Sequence, residues 1–467
     1  MTVELAVNRA RLAQVEWEKV SADQRSAIFY KFSTLVLKRQ AEILDVIQEE
    51  TKKNRLSAFE EVLDSSQITD YYSKNAARFL RTTRRRGAFP LLTKTVEAHR
   101  PVGVVGVITP WNYPFTLPTS DIAPAVLAGN TVVLLPDHLT TRSADLMLEL
   151  MIEAGLPEGV VNIVHGGGRE HGSELISLVD FVMFTGSTAT GRLVAKQCAE
   201  RLIGFSGELG GKNPLLVLSD ADVVKAAAGA TRACFSNSGQ LCVSPERIYV
   251  VAKHHDEFVK RFVENTESMN LGAGKDWEID MGPLISVKQF ETVRDQVIDA
   301  ISKGAKLLSG GRVRPDISET FFEPTILTNV SDDMILGRGE TFGPVVSIYK
   351  VADDAEAVKL ANDSEFGLNA SVWSRSGAPE LVGKLQAGTV TVNEGYSASW
   401  ASHDAPMGGM KSSGIGRRHG RSGLLKYTQS QTIARQRLVG IAPFGKQSKE
   451  AFAKLLTRLL GIWNRIS

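Results

Sequence analysis

One cysteine of this sequence stands in a setting that suits a nucleophile. Cys242 ends the segment 235–242 (FSNSGQLC), which is mostly small and polar. Such a cysteine is more often a buried core residue, and the chemical alternative is a thiol that attacks an electrophilic carbon. Glu208 lies in the glycine-rich turn 207–212 (GELGGK), so its carboxylate is either an ordinary surface charge or a base beside that thiol.

A turn at residues 184–191 (FTGSTATG) is a second place where chemistry is expected. The apolar run 181–184 favours a strand, and a helix is predicted from about residue 190. The free N–H groups and positive dipole end of that helix suit a pyrophosphate, and Ser187 and Thr188 add hydroxyls. The alternative is an ordinary capped helix, because the segment is not G-x-G-x-x-G.

Helical and strand patterns alternate around these segments. Residues 1–88 have the apolar spacing of helices, and from about residue 94 short β-branched runs alternate with helical patterns. This alternation predicts an α/β protein with parallel sheets, in two successive units that join near 208–213. The predicted strands are 93–99, 102–108, 131–135, 160–164, 181–184, 215–218, 248–251, 305–308, 345–349 and 389–392.

The C-terminal residues differ in character from the rest. Beyond Gly440 apolar residues recur at helical spacing among lysines and arginines, which predicts a basic amphipathic helix. This helix packs on its own chain or a partner subunit, or it lies on a membrane surface. The arginine run 84–86 is, similarly, either a solvated helix end or a patch that binds an anion or nucleic acid. The apolar residues are Phe452, Leu455, Leu456, Leu459, Leu460, Trp463 and Ile466.

The overall composition is that of a globular protein. The chain has 467 residues, 43 % hydrophobic and 23 % charged, and its net charge of +2 argues against a general nucleic-acid binder. Its three cysteines do not make a disulfide framework, so we expect a cytoplasmic location. The apolar runs are too short for a membrane span and the eight histidines lack metal-ligand spacing, so we predict neither a transmembrane segment nor a metal.

Six segments of the sequence carry a family resemblance. In chain order they are 110–114 (PWNYP), 184–188 (FTGST), 208–212 (ELGGK), 239–242 (GQLC), 340–344 (ETFGP) and 406–414 (PMGGMKSSG). Together they resemble the aldehyde dehydrogenase superfamily, over roughly residues 25–432. Residues 239–242 and 407–419 are most similar to bacterial succinate-semialdehyde dehydrogenases.

The resemblance implies roles for three residues in catalysis. Cys242 would attack the aldehyde carbon, and Asn112 with the Cys242 backbone N–H would bind the oxyanion of the thiohemiacetal. Hydride would leave that carbon for a nicotinamide, and Glu208 would activate the water that hydrolyses the resulting thioester.

The resemblance also implies a site for NADP or NAD. Leu135 stands where the family normally has a lysine, and His138 stands where NAD-preferring members often have a glutamate. Losing that carboxylate removes a repulsion from the 2′-phosphate, so the prediction leans towards NADP with NAD also accepted. The implied cofactor-binding residues are Pro110, Trp111, Leu135, Asp137, His138, Gly186, Ser187, Gly191, Leu209, Glu340 and Phe342.

The substrate site departs from the pattern of the best-known succinate-semialdehyde enzymes. Ser120 and Ser236 stand at positions where those enzymes use arginines for the substrate carboxylate. Small side chains there leave room and impose little charge selection. The predicted substrate residues are Ser120, Ser236, Tyr396, Trp400 and His403, and the candidate substitutes for the missing arginines are Arg417, Arg418 and His403.

The resemblance implies a fold of two Rossmann-like α/β domains and a small β arm. The arm implies a homodimer or homotetramer. The domain boundaries expected are 1–86 with 102–210 for dinucleotide binding, 211–428 for catalysis, 87–101 with 429–440 for the arm, and 441–467 for the tail helix.

The predicted function is NAD(P)-dependent oxidation of an aldehyde, with succinic semialdehyde as the expected substrate and succinate as the product. The alternatives are a broad-specificity aliphatic or aromatic aldehyde dehydrogenase, a CoA-dependent acylating relative and a non-catalytic binding protein. Glu208 argues against the acylating class, whose members generally lack this base. The presence of Cys242, Glu208 and Asn112 argues against a protein without activity.

Overall fold

The computed structural model describes residues 1–87, 93–437, 442–443, 445 and 447–466, without the side chains of 463, 465 and 466. The chain forms two compact units. The first contains Met1–Phe79 and Pro101–Thr428, and the second contains Leu80–Arg100 and Gln429–Ser467. None of the described helices is long and apolar enough to span a membrane.

The elements follow the predicted alternation. The helices are α1 (Val3–Trp17), α2 (Ala22–Lys38), α3 (Gln40–Thr51), α4 (Arg55–Leu80), α5 (Thr116–Leu127), α6 (Thr141–Glu153), α7 (Gly168–Leu178), α8 (Thr188–Glu200), α9 (Val223–Phe235), α10 (Ala252–Glu267), α11 (Val287–Ser302), α12 (Ile335–Arg338), α13 (Asp354–Asn362), α14 (Pro379–Val382), α15 (Ser397–Trp400), α16 (Gly420–Leu425) and α17 (Lys449–Ile466). The strands are β1 (Thr83–Arg85), β2 (Thr93–Pro101), β3 (Val104–Ile108), β4 (Thr131–Leu135), β5 (Val161–Ile163), β6 (Phe181–Thr185), β7 (Gly204–Glu208), β8 (Asn213–Val217), β9 (Pro245–Val251), β10 (Lys306–Ser309), β11 (Thr325–Thr328), β12 (Val345–Val351), β13 (Phe366–Gly367), β14 (Asn369–Trp373), β15 (Thr389–Val392), β16 (Met410–Lys411), β17 (Gly414–Ile415) and β18 (Thr428–Gln436).

The first sheet has six strands in the order β17-β7-β6-β3-β4-β5. All neighbours are parallel except β17, which pairs antiparallel with β7. Every residue of β3, β4 and β6 is buried, because helices cover both faces of a parallel sheet. The strand order reverses between β3 and β6, and in open α/β sheets ligands bind at the carboxyl ends of strands beside such a switch point.

The second sheet has seven strands in the order β10-β11-β12-β9-β8-β14-β15. Its neighbours are parallel except β10, which runs antiparallel to β11. The stacked rings of Phe235, Phe258 and Phe262 lie in its main hydrophobic core. Glu208 ends β7 of the first sheet, and Cys242 lies three residues before β9 of the second, so the join of the two sheets brings the predicted base and nucleophile to one region.

The boundary predicted at residue 428 needs a correction, because part of the 211–428 segment returns to the first sheet. β17 pairs with Gly207 and Glu208, and the Leu209 N–H donates to the Ser413 carbonyl at 2.9 Å. The pairing of β10 needs a second correction. The sequence predicts that this strand runs parallel to its neighbour, whereas it runs antiparallel to β11. In both places the pairing depends on residues far away in sequence.

The second unit contains a three-stranded sheet in the order β1-β2-β18 and the helix α17. β18 is an edge strand, and its residues from Gln429 onward are exposed. The predicted arm, 87–101 with 429–440, contains β2 and most of β18 but not β1, and the predicted tail, 441–467, contains α17. The parts of those predictions that fall on 88–92, 438–441, 444, 446 and 467 lie outside the described residues.

Candidate active site

The backbone before Cys242 adopts an unusual conformation. Three successive residues, Asn237, Ser238 and Gly239, have φ values of 49°, 55° and 68°. Side chains disfavour this left-handed region, and such strain is found mainly at functional sites. At Gly239 a Cβ atom would lie 2.0 Å from the Gly343 carbonyl oxygen, so only glycine fits. The turn therefore fixes the position from which Cys242 is presented.

Asn112 follows β3 and is held against the cysteine segment. Its Nδ2 donates to the Gln240 carbonyl at 3.0 Å, and its own carbonyl accepts from Lys53 Nζ at 2.6 Å. Lys53 is buried and also pairs with Glu61 at 2.8 Å, and Glu61 in turn accepts from the Phe115 N–H. Because Nδ2 carries two hydrogens, one remains available for a bound oxyanion.

Glu208 is a buried carboxylate without a fixed partner. Its Oε1 has no hydrogen-bond partner among the described residues, and its side chain is nearly inaccessible to solvent. Gly408, at φ 152°, leaves room for the Glu208 carboxylate, since a Cβ atom at Gly408 would lie 2.9 Å from Glu208 Oε1. Burial raises the pKa of Glu208 to about 7, although Arg418 opposes the shift. The group can therefore exchange a proton near neutral pH.

The thiol of Cys242 is the partly exposed one of the three cysteines, since Cys198 and Cys234 are buried. Burial raises the pKa of the Cys242 thiol to about 12, Arg418 lowers it and Glu208 raises it. The free thiolate is therefore a minor species at neutral pH. Attack on a carbonyl carbon requires removal of the thiol proton during the same step.

Arg418 is a buried cation whose charge lowers the pKa of both Glu208 and Cys242. Its Nε lies 3.0 Å from Asp121 Oδ1 and its NH2 lies 2.5 Å from Asp121 Oδ2. The same NH2 donates to Thr185 Oγ1 at 2.6 Å, at the end of β6. All three residues are buried, so this pair joins helix α5 to the carboxyl end of the first sheet.

A cleft at the switch point of the first sheet opens beside Cys242. Its lining includes Cys242, Asn112, Glu208, Leu117, Thr185, Gly210 and Gln289, and the predicted cofactor residues Pro110, Trp111, Gly186, Ser187, Leu209, Glu340 and Phe342. Ser187 caps helix α8 by accepting from the Thr190 N–H, so the free N–H groups of that helix end at the cleft. The rings of Trp111 and Phe342 meet edge to face at 5.5 Å.

These residues fit a nicotinamide dinucleotide. A helix N-terminus suits the pyrophosphate, and at Gly210 a Cβ would come within 2.6 Å of Glu340 Oε2, so bare backbone borders the cleft. Glu340 accepts from the Gly211 N–H at 2.8 Å, and burial raises its pKa to about 8.

Four predicted cofactor residues are not part of this lining. Gly191 packs directly beneath Leu209, where a Cβ would clash at 2.3 Å. Leu135 is buried in the hydrophobic core of the first sheet, so its side chain does not reach the cleft. Asp137 and His138 lie beyond the carboxyl end of β4, with His138 exposed and its Nδ1 3.3 Å from Asp137 Oδ1.

A second cavity meets the cleft at Cys242 and Asn112. It is lined by Glu60, Asp64, Asn112, Tyr113, Thr116, Leu117, Ser120, Leu241, Cys242, Val243, Trp400, Met407, Arg418 and His419. Of the predicted substrate residues, Ser120 and Trp400 are in this lining. Cys242 thus lies where a cofactor cleft and a substrate cavity join.

The other three predicted substrate residues do not line the cavity, because buried hydrogen bonds engage them. Ser236 Oγ lies 2.6 Å from the Tyr396 hydroxyl, which bonds to Glu60 at 2.7 Å. His403 Nε2 lies 2.9 Å from Asp64 Oδ1. Of the proposed substitutes for arginine, Arg418 lines the cavity, and Arg417 is bound to the carbonyls of Gly409 and Gly416.

A buried polar cluster at this cavity was missed from sequence. Candidate ligand atoms of Asp64, His403 and His419 all lie within 4.8 Å of one another. His419 Nδ1 has no partner among the described residues, and burial lowers the pKa of His419 to about 3. The sequence does contain one signal for a polar cavity wall. Glu60 and Asp64 lie four residues apart on α4, and residues at that spacing share one helix face.

Comparison with known proteins agrees with this geometry. The aldehyde dehydrogenase family model matches residues 1–433. A protein of Mycolicibacterium smegmatis named putative succinate-semialdehyde dehydrogenase (NADP+) is 51% identical, covering 94% of this chain and 86% of that protein. A probable succinate-semialdehyde dehydrogenase (NADP+) of Sinorhizobium fredii is 38% identical, covering 90% of this chain and 86% of that protein.

Two solved structures extend the comparison. The E. coli NADP dependent enzyme has a TM-score of 0.89 at 33% identity, covering 93% of this chain and 90% of that one. Betaine aldehyde dehydrogenase of Staphylococcus aureus, in complex with NAD+, has a TM-score of 0.89 at 32% identity, covering 94% and 88%. The chain belongs to the aldehyde dehydrogenase family. It is an NAD(P)-dependent aldehyde dehydrogenase, and the predicted fold and enzyme class are confirmed.

The buried Lys53–Glu61 pair gives a prediction about how Asn112 is held. Lys53→Met leaves the Glu61 carboxylate buried without its cation, and we expect a loss of about 3–5 kcal/mol in the free energy of unfolding. The double variant Lys53→Met/Glu61→Gln removes both charges and should regain much of that loss. Denaturant unfolding of the three proteins measures the difference. Equal stability of the single and double variants would contradict the pairing.

Proposed function

We propose that this enzyme oxidises succinic semialdehyde to succinate, with NADP preferred and NAD accepted. The observation that carries the proposal is 51% identity over 94% of the chain to a protein named as a putative succinate-semialdehyde dehydrogenase (NADP+). Other relatives at 48% and 38% identity bear corresponding names. The site supports it with a cysteine that lines both a cleft suited to a dinucleotide and a second cavity.

The first chemical step is addition of Cys242 Sγ to the aldehyde carbon. Because the pKa of the thiol is raised to about 12, a base must take its proton as the C–S bond forms. The buried Glu208 carboxylate is available for that proton. The free hydrogen of Asn112 Nδ2 and the Cys242 backbone N–H then stabilise the oxyanion.

The cleft residues are those that would hold the cofactor. Ser187 and the N-terminus of α8 would take the pyrophosphate, and Glu340 would take the nicotinamide ribose, with Phe342 in the same lining. When bound, the nicotinamide supplies the hydride acceptor that aldehyde oxidation requires. The product of this step on the enzyme is a thioester of Cys242.

Glu208 has its main role in the second step. Its carboxylate takes a proton from a water molecule, the water oxygen adds to the thioester carbon, and the C–S bond breaks to release the acid and the Cys242 thiol. A pKa near 7 suits this work, because the carboxylate is then both populated and basic at neutral pH. Arg418 keeps that pKa from rising further.

The substrate carboxylate requires a cation, and Arg418 is the candidate at the cavity. Its Nε and NH2 are engaged by Asp121 and Thr185, so NH1 is the group left to meet an anion. A second candidate function is oxidation of uncharged aldehydes. The buried carboxylates of Glu60 and Asp64 in the lining favour it, since they repel an anionic substrate.

Assembly and location are part of the proposal. We infer a homodimer or homotetramer, because β18 lies at the edge of its sheet among the described strands and is exposed from Gln429 onward, and another chain can pair with such an edge. A cytoplasmic location agrees with three cysteines that are all free.

An aldehyde panel tests the substrate. We expect kcat/KM with NADP to be highest for succinic semialdehyde, and to exceed that for hexanal and benzaldehyde by less than about 10⁴-fold, or roughly 5.5 kcal/mol, because no dedicated arginine pair is present. Absorbance of reduced cofactor reports each rate. Faster oxidation of hexanal than of succinic semialdehyde would replace the proposal by the second candidate.

His138 gives a prediction about the cofactor. His138→Glu places a carboxylate beside the adenosine ribose, so we expect kcat/KM for NADP to fall at least tenfold more than for NAD, by repulsion of the 2′-phosphate. His255→Glu, on helix α10, is the matched control and should leave the ratio of kcat/KM for NADP to kcat/KM for NAD unchanged. An equal fall for both cofactors after His138→Glu shows that this side chain does not face the phosphate.

Glu208→Gln separates the two chemical steps. The amide cannot take a proton, so steady-state turnover should fall by about 10²–10⁴-fold. Hydroxide can replace Glu208 as the base that takes the Cys242 proton when the pH is raised. Under those conditions a burst of about one reduced cofactor per active subunit should precede the slow phase, with an acyl group on Cys242 detectable by mass spectrometry. Cys242→Ala is the control and should show neither.

The pH profile supplies the same test without a substitution. Glu208 acts only when deprotonated, and its pKa is raised to about 7, so wild-type turnover should rise from pH 6 to 8 and then level. In the Glu208→Gln variant, absence of both the burst and the acyl group would show that Glu208 is needed before hydride transfer. Its role would then be to take the proton of the Cys242 thiol.

A further inference from the structure

The charges of this enzyme are distributed very unevenly between its two units. The second unit, residues 80–100 and 429–467, holds 13 of the 54 lysines and arginines but two of the 52 acidic residues. Its net charge is therefore +11, and the first unit carries −9 although the whole chain is close to neutral. A separation of this size within one chain points to an anionic partner for the smaller unit.

Both acidic residues of this unit are already paired. Glu97 accepts from Arg85 Nε at 2.7 Å and from Ser430 Oγ at 3.0 Å. Glu450 lies 2.6 Å from Lys454 Nζ, one turn further along α17. The excess of positive charge is therefore not balanced by acidic groups within the unit.

Helix α17 has a mostly apolar face and a face with basic residues. In the sequence the seven apolar residues from Phe452 to Ile466 recur at three- and four-residue steps, which is the spacing of one helix face. At 100° per residue Lys454 and Arg458 fall opposite that face, and Lys449, at the start of the helix, falls within it.

The apolar face of α17 is only partly covered by the described parts of the chain, since Phe452 and Leu456 are half-buried. Leu455, Leu459 and Leu460 remain 42%, 48% and 43% exposed. At 18 residues the helix is about 27 Å long, and it is not apolar enough to cross a membrane. A helix with these properties is suited to lie in the plane of a bilayer surface.

We propose that α17, together with the basic charge of the second unit, docks this enzyme on membrane surfaces that contain anionic lipid headgroups. The leucine face enters the boundary between headgroups and acyl chains, and the cations pair with the headgroup phosphates. A second copy of α17 is a poorer occupant, because its unit carries the same +11 charge. The family match ends at residue 433, so α17 lies outside the part that supports the catalytic proposal.

Co-sedimentation of the full-length enzyme with vesicles tests this proposal. We expect at least about tenfold stronger binding to vesicles of equal phosphatidylcholine and phosphatidylglycerol than to phosphatidylcholine alone, with most of it lost in 0.5 M NaCl. Leu459→Asp, on the apolar face, should reduce binding at least tenfold. Thr457→Asp adds the same charge off that face and should change binding less than threefold. Oxidation of a soluble aldehyde should be equal in all three proteins.

Three outcomes would overturn the proposal. Equal binding to both vesicle types would show that anionic headgroups are not recognised. Full binding by Leu459→Asp would show that the helix face is not used. No vesicle binding, with a lower molar mass in light scattering for Leu459→Asp than for wild type, would assign the face to a second copy of the chain. Because no substrate is present in the binding assay, its failure is distinct from failure of the proposed oxidation.

Discussion

The buried ion pair between Arg418 and Asp121 is the interaction on which the active site depends most. It joins helix α5, the end of β6 through Thr185, and the segment that adds β17 to the first sheet. Removing either member would leave a buried charge unpaired, which proteins tolerate poorly. The same cation lowers the pKa values of both Glu208 and Cys242, so one contact stabilises the join and adjusts the chemistry.

The pKa values of Cys242 and Glu208 follow from a single constraint, the exclusion of water. Burial raises both values, to about 12 and about 7. A solvated carboxylate would be a weak base, and a permanently ionised thiolate would be exposed to side reactions. In the buried pair the thiol stays protonated until an electrophile arrives. The backbone turn at Gly239 and the gap beside Gly408 allow these two groups to approach the same point.

Local patterns predicted most of the strands and helices, and the family resemblance supplied the candidate reactive residues. The β-branched runs gave strands such as β4 and β6 at nearly their observed bounds, because buried parallel strands need continuous apolar sequence. The segments around Asn112, Glu208 and Cys242 carried a specific resemblance. The pairing of β17 with β7 was not predictable, because a two-residue strand has no periodicity to detect.

Side-chain direction in the substrate cavity could not be read from sequence. Ser236 and Tyr396 were expected to line it, and they bond to each other and to Glu60 instead. The cluster of Asp64, His403 and His419 joins residues more than 300 positions apart. Leu135 points into the core for a related reason. Side chains alternate between the two faces of a strand, and the face on which each one lies is known only once the neighbouring helices are placed.

The position of Glu60 and Asp64 on helix α4 has a consequence for evolution and design. Both side chains reach the cavity from a regular helix, whereas Cys242 is presented by a strained turn that admits little variation. Exchanging a residue on a helix face leaves the backbone in place, so this wall can change without moving the turn that presents Cys242. Glu60 is bound to Tyr396 and Asp64 to His403, so a new aldehyde pocket calls for joint exchange of each carboxylate and its partner.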